Sequence, residues 1–343
     1  MHLRGVGLPG DGGLVRSGVR APRLRVLADG AAVPGVISAD VKSNGYAAAD
    51  RFTVRLAAAA GGLAAVDAVG VRLDVQVGFD GGWTSLIVGE ADRVVLDAIG
   101  GVVEVDGRDL SALLLDSRVD ETFANRTSGE IVAVIAARHG LAVDIAAGGS
   151  AAGRFYQADR ERVALGQFAR AMTEWDLVAG LAQRDGFTAS MAGATLRFGP
   201  LEDTGVVTLT PGDCEAMQME HVMPMQRSIE VTVRSWDQQG GAAVTRTASG
   251  GGAGRAWKHH VTRPNLPAEE AQTLAERVLA DLVRQERRVD VRMPGELGIS
   301  VRGRVLVQGT ATAWDRVYAV GEVNRRLDVR HGFTQSLVLL GAA

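Results

Sequence analysis

Gly107-Arg108-Asp109-Leu110-Ser111-Ala112-Leu113-Leu114-Leu115-Asp116-Ser117 is where this chain changes its period. Ahead of it, apolar residues alternate with polar ones; from it onward they recur every three to four positions, which is the spacing of a helix with one buried face. The helical pattern continues through Thr122-Phe123-Ala124-Asn125-Arg126-Thr127-Ser128-Gly129-Glu130-Ile131-Val132. There Thr127 and Glu130 form a capping box, Ile131, Val132, Val134 and Ile135 keep one apolar face, and Arg138-His139-Gly140-Leu141 closes the helix. A loop at 148–153 precedes two helices over 163–172 and 175–183, or one bent helix, with Thr173 and Asp176 as a second capping box that favours a break and Gly186 as the stop. The stretch 107–187 is the helix-dense part of a strand-dense chain. It is therefore either an inserted small domain or the seat of function.

Outward from it on both sides the sequence reads as β-structure. The clearest strand is 71–79, where Val71, Leu73, Val75, Val77 and Phe79 face one way and Arg72, Asp74 and Gln76 the other. Asp80-Gly81-Gly82 is a hairpin signal, and the chain returns through 83–89. Alternation also marks 23–27, 36–41 and 51–56, and two further strands are expected at 92–97 and 102–108. Six or so short strands with frequent glycine turns predict an antiparallel barrel or sandwich. On the other side, 191–198 reads as a short hairpin, and strands are expected at 206–209, 229–236, 289–293, 301–308, 316–329 and 333–340. The Gly/Ala/Thr/Ser-rich stretch 240–254 has no apolar period and reads as a flexible loop. A long helix over 266–287 is strongly amphipathic, with Asn265 as cap and Pro267 in its first turn. No sequence repeat is visible, but the two β parts can be structural cousins.

At 343 residues the chain has room for two to four compact units, at roughly 100–150 residues each. A net charge of -3 gives no global attraction to nucleic acid or to an anionic membrane. Cys214 stands alone, so no intrachain disulfide and no cysteine zinc cluster is expected. No run has the apolar length of a signal-peptide core or a spanning helix, and the chain is expected to fold in a reducing cytoplasm. The first eighteen residues are Gly-rich and read as an arm.

Residues that might carry chemistry have a structural reading beside the functional one. His259-His260 are adjacent, so their side chains diverge, and they read as exposed loop residues rather than metal ligands. His139 at the end of a capped helix suits the helix dipole. Glu174 and Asp176 suggest an acid and a base, yet residues two apart on a helix point to different faces. No Gly-x-Ser-x-Gly elbow and no phosphate cradle occurs. Trp175, Trp236, Trp257 and Trp314 read as packing anchors before sugar platforms. Arg287, Arg288, Arg292, Arg302, Arg304, Arg316, Arg325, Arg326 and Arg330 outnumber the acids around them; they either line a surface past which DNA travels or form a solvated strand face. No catalytic, cofactor-binding or metal residue is expected. The absence of a catalytic set points to a structural or interaction protein.

Several segments together resemble the baseplate hub proteins of phage and phage-like tails, of the Mu-like and late-control D type, related to the hub part of type VI spike proteins. They are Gly107-Arg108-Asp109-Leu110, Ala112-Leu113-Leu114-Leu115-Asp116, Phe123-Ala124-Asn125-Arg126-Thr127-Ser128 with its helix to Leu141, Trp175-Asp176-Leu177-Val178-Ala179-Gly180-Leu181-Ala182 before Gly186-Phe187, the late helix, and 320–329. The resemblance implies a mainly β, α+β fold: an arm (1–18), a first tail-tube-like antiparallel barrel (19–108), an inserted α/β domain (109–200), and a second such barrel (201–343) carrying the loop 240–254 and the helix 266–287. It also implies a homotrimer acting as symmetry adaptor between a hexameric tail tube (or distal tube protein) and a trimeric central spike. The ring would enclose a lumen for the tape-measure protein and then for DNA or effectors, in a virion baseplate assembled in the bacterial cytoplasm, with no membrane insertion and no cofactor. Leu113, Ile131, Ile135, Phe168 and Leu181 are expected to be buried. The alternatives are a tail-associated peptidoglycan hydrolase with Glu174 or Glu161 as its acid, and a cell-surface carbohydrate-binding protein using the tryptophans.

Overall fold

The computed structural model describes residues 21–45, 48–79, 81–119, 121, 123, 126–146, 151–152, 154–155, 160–161, 172–201, 205–221, 228–237, 242–250, 256–263 and 266–341. The arm, the loop at 148–153, the helix at 163–172 with Phe168, and Asn265 fall wholly or largely outside them.

The first β unit comprises β1 (Arg23–Ala28), β2 (Val36–Asn44), β3 (Arg51–Ala57), a one-turn α1 (Leu63–Val66), β4 (Arg72–Phe79), β5 (Gly82–Asp97) and β6 (Val102–Asp109). Next come α2 (Ser111–Asp116), α3 (Ser128–Arg138), β7 (Ala142–Ile145), α4 (Glu174–Asp185), β8 (Thr188–Ala192) and β9 (Thr195–Gly199). The remainder holds β10 (Val206–Leu209), β11 (Ala216–His221), β12 (Ile229–Asp237), β13 (Ala242–Gly250), β14 (Trp257–Thr262), α5 (Ala268–Arg284), β15 (Arg287–Pro294), β16 (Arg304–Val307), β17 (Val317–Asp328) and β18 (Gly332–Gly341). The protein is mainly β, with one long late helix, as the sequence leads one to expect.

Strand order reveals an internal duplication. The first unit runs β2-β3-β6-β5-β4-β1 across its sheet, and the last runs β11-β15-β18-β17-β16-β10. Numbered by sequence within each set, the two orders are identical. One pairing differs in sense: β1 runs antiparallel to β4, whereas β10 runs parallel to β16. The units are fused edge to edge, because β17 pairs antiparallel with β2 from Glu322↔Asn44 to Asp328↔Ser38. One sheet thus crosses both units. Beneath it lie two apolar cores, one around Val41, Phe52, Val54, Leu73 and Val105, the other around Val291, Val305, Tyr318, Val323 and Leu337.

Several sequence expectations change on contact with the structure. The two strands expected at 83–89 and 92–97 are one strand, β5, bent by a register shift between Ala91 and Arg93. A bulge of this kind breaks the alternation without ending the strand. The presumed loop at 240–254 contains β13, which pairs with β12 along its whole length. Its inner face rests on α5 through small residues, Ala248 being buried and Gly250 lying 3.2 Å from Leu279 at its would-be Cβ, so no bulky alternation betrays it. His259 and His260 belong to strand β14 rather than a loop. The sheet of β13, β12 and β14 with α5 has its own core, including Ile229, Val231, Val233, Ala271 and Ala275, separate from that of the β unit it interrupts.

The helical stretch after β6 is likewise cored. Both capping boxes form, Thr127 with Glu130 and Thr173 with Asp176, and Gly186 closes α4 at φ 72°, a left-handed conformation that glycine tolerates best. Ile131, Ile135 and Leu181 are buried as expected. Leu113 is only partly covered, and its neighbour Leu114 takes the core position together with Leu110, four residues before it on the same face.

Phe52 explains Gly107 of the opening motif and Gly89 of the neighbouring strand β5. It stands directly opposite Gly107 in the β3–β6 pair, and its ring spreads over Gly107 and toward Gly89. A Cβ on Gly107 would sit 2.3 Å from the Phe52 ring, and one on Gly89 would sit 1.9 Å from the Arg108 carbonyl oxygen.

Candidate functional site

Because β17 and β2 are paired, the outward face of the sheet is continuous from β15 to β6. Its polar side chains neutralise one another across strands. Lys42 meets Glu322 at 2.9 Å across the seam between the units, Arg55 meets Glu104 at 2.8 Å, and Arg108 holds both Asp92 and Asp116 at 2.7 and 2.9 Å. Arg93 pairs with Asp106 and with Glu104, Arg288 with Asp290 and Arg326 with Asp328. Exposed pairs of this kind contribute little stability, about 0–1 kcal/mol each. Their effect is on the field: the face is densely charged and locally neutral.

Five of the nine late arginines have distinct environments. Arg288 and Arg326 are tied to acids of their own strands, and Arg287 lies over the Trp314 ring at 5.4 Å with a hydrogen bond to the Ala313 carbonyl. Arg302 and Arg325 turn inward. Arg302 sits at the meeting point of three regions, donating from Nε to the Gly45 carbonyl (3.2 Å) and from Nη2 to the Ala189 carbonyl of β8 (3.0 Å). Its own amide bonds the Val320 carbonyl at 2.8 Å, and its backbone is left-handed at φ 65°. Burial pushes the guanidinium pKa of both Arg302 and Arg325 down, with Asp50 opposing the shift in each.

Two carboxylates complete this joint. Burial raises Asp50, whose Oδ1 accepts from the Asn44 amide at 2.9 Å. Asp109, at the end of β6, is raised by burial to about 6, with the nearby Asp50 adding like-charge repulsion; Ser111 donates to its Oδ1 from both amide and hydroxyl. In the unfolded chain Asp109 releases its proton near 3.8, in the folded protein only near 6. Between those values the folded state holds more protons, so stability falls as pH rises through that window, by up to about 3 kcal/mol. Asp109→Asn, which keeps the acceptor oxygen, is expected to flatten that slope and raise the urea midpoint at pH 7; an unchanged slope from pH 4 to 7 would count against it.

The remaining candidates scatter. Glu174 is buried at the start of α4, its two oxygens taken by Arg138 Nη1 at 2.7 Å and His139 Nε2 at 2.5 Å. Arg138 also pairs with Glu121. His139 therefore bridges two helices as well as ending one, a partnership across 35 residues that local pattern does not reveal. Asp176 is occupied by the Thr173 amide, and the Glu161 side chain lies outside the described residues. Glu174, one of the two acids of the hydrolase alternative, is thus buried with both oxygens engaged. Trp175 is buried, while the exposed Trp236 and Trp257 point to opposite faces of their small sheet, since Trp257 shares the face of Ile229. No group of three or more His, Cys, Asp or Glu side chains suited to a metal gathers among the described residues.

A chain of two like β units, joined through one sheet and separated in sequence by a small helical insertion, has the fold of phage tail proteins and type VI spike-associated proteins. Among solved structures it is similar to a tail protein from Neisseria meningitidis MC58, with TM-score 0.74, 17% identity, and 94% of this chain and 97% of that one covered. It is also similar to the 43 kDa tail protein of prophage MuSo2 from Shewanella oneidensis, with TM-score 0.71, 15% identity, and 93% and 98% covered. The Escherichia coli protein c3393, described as a type VI secretion component with structural similarity to the T4 bacteriophage tail proteins gp27 and gp5, superposes with TM-score 0.59, 13% identity, and 93% and 77% covered. No family model matches the sequence, and no curated protein matches it.

Proposed function

We propose that this chain is the structural hub of a phage or phage-like tail baseplate, three copies forming a ring that joins a sixfold tail tube to a threefold central spike. The observation that carries this reading is the duplication: one chain presents two β units of identical strand order, already joined by β17 and β2, so three chains supply six like units. A ring of that make-up is three-fold by chain and six-fold by unit, which is what an adaptor between the two symmetries requires. The continuous polar face, with its paired charges, suits a wall along which the tape-measure protein, DNA or an effector passes without being held. The helical insertion between the units would buttress the ring from outside. No step of chemistry is needed. Light scattering of the purified full chain at high concentration, with pull-down of tail tube and central spike proteins, tests the reading. A trimer that captures either partner is expected; a strict monomer that captures neither overturns it.

A further inference from the structure

The two fused edges inside the chain leave two matching edges unfused. The inner half of β17, residues 317–319, pairs with β16 on the side away from β18, and its outer half, 322–328, pairs on that side with β2. In the first unit the inner half of β5 pairs with β4 up to Glu90, while residues 93–97 have no strand on that side among the described residues. At the other end of the sheet, β11 pairs with β15 alone among the described residues. Since β5 corresponds to β17 and β11 to β2, the free edges are the counterparts of the joined ones.

The correspondence extends to single residues. Both long strands carry their register shift at the division between halves, after Ala91 in β5 and after Val320 in β17. Aligned on that shift, the row Val94–Val105–Val54–Ala39 matches Val323–Leu337–Val291–Met217, apolar and core-facing at every place. Carrying the in-chain pairs Asn324↔Lys42 and Arg325↔Val41 through this alignment sets Val95 opposite Glu220 and Leu96 opposite Met219. Leu96 lies on the core side with Val94, yet is 48% exposed, whereas Met219 is a half-buried member of the other core. An apolar strand edge left bare in this way is a template for another strand.

We infer that residues 93–97 of β5 in one copy pair antiparallel with β11 of the next copy, in the register Val95 to Glu220 and Leu96 to Met219. This rests on the hub reading and specifies its contact. The occupant is a second copy because the complementary edge is β11 of the same chain. Each contact between copies then repeats the geometry of the contact within a copy, so in a ring of three chains the three inner joints and the three outer ones share one turn angle.

Paired cysteines test the register, because directly opposed residues of antiparallel strands have Cα atoms about 4.5–5.5 Å apart, within disulfide reach. In a Cys214→Ser background, the Asn324→Cys/Lys42→Cys protein reports the in-chain joint and the Val95→Cys/Glu220→Cys protein the joint between copies. On oxidation the first is expected to stay monomeric on a denaturing gel with altered mobility, and the second to give a ladder ending at the trimer. Either cysteine of the second pair alone should give no ladder. A native trimer by light scattering whose Val95→Cys/Glu220→Cys form does not cross-link overturns this contact and leaves the hub reading standing. A ladder running past three overturns ring closure, and a monomer without cross-links overturns the contact and the hub reading together.

Discussion

Gly89→Ala is expected to cost the first β unit at least about 3 kcal/mol, or to prevent its folding. The added Cβ would lie 1.9 Å from the Arg108 carbonyl oxygen, 2.7 Å from its carbon and 3.0 Å from Phe52. The first two atoms belong to the backbone of β6, which is fixed on both sides by β5 and β3. Relief therefore requires the β5–β6 pair to part where β5 bends. Gly180→Ala supplies the contrast, since nothing lies within 4 Å of its would-be Cβ in the middle of α4, and helix propensity makes that change stabilising by about 0.5–1 kcal/mol. Thermal melts of the two variants check both signs. A Gly89→Ala melting point equal to that of the parent would show that the β5–β6 approach is looser than described.

Arg302→Ala is expected to lower stability by about 3 kcal/mol, through two stranded carbonyls at Gly45 and Ala189 and a half-buried Asp50 that loses one of its two nearby cations, Arg325 remaining. The loss falls on the joint, so limited proteolysis should release the helical insertion from the β units earlier than in the parent. Arg302→Gly separates two contributions. It removes the same guanidinium but relieves the left-handed backbone at φ 65°, and it should be less damaged than the alanine variant by roughly 1 kcal/mol. Urea midpoints order the three proteins. Equal midpoints for the alanine and parent proteins would mean that solvent satisfies the joint without Arg302.

What the sequence reveals depends on whether a pattern is local and bulky. β4 is legible because Leu73, Val75 and Val77 alternate with Arg72, Asp74 and Gln76 over one sheet with one covered face. The capping boxes at Thr127 and Thr173 are legible because both partners lie three residues apart. β13 is hidden because its inward residues are small, and β5 looks like two strands because its bulge shifts the phase of the alternation. The duplication is hard to see in the sequence, since the rows that correspond agree mainly in being apolar, and even their matches are single valines separated by unrelated loops and insertions. The three-way joint is hidden for a different reason: Gly45, Ala189 and Arg302 are separated by more than a hundred residues, and nothing local marks Arg302 among its exposed arginine neighbours.

In the ring proposed above, the cross-strand pairing of Lys42 with Glu322, Arg55 with Glu104 and Arg108 with Asp92 would have one more consequence, which concerns friction. A lone charge on a wall creates a trap for a passing polyelectrolyte; a charge with its opposite about 3 Å away leaves only a dipole, whose field falls off faster and is screened beyond about 8–10 Å in physiological salt. A polymer moving along such a wall would meet a nearly level potential, wetted throughout and sticky nowhere. Neutralising only the acids, through Glu104→Gln, Glu322→Gln and Asp92→Asn, would leave the fold nearly as stable and turn that level path into a row of cationic stops.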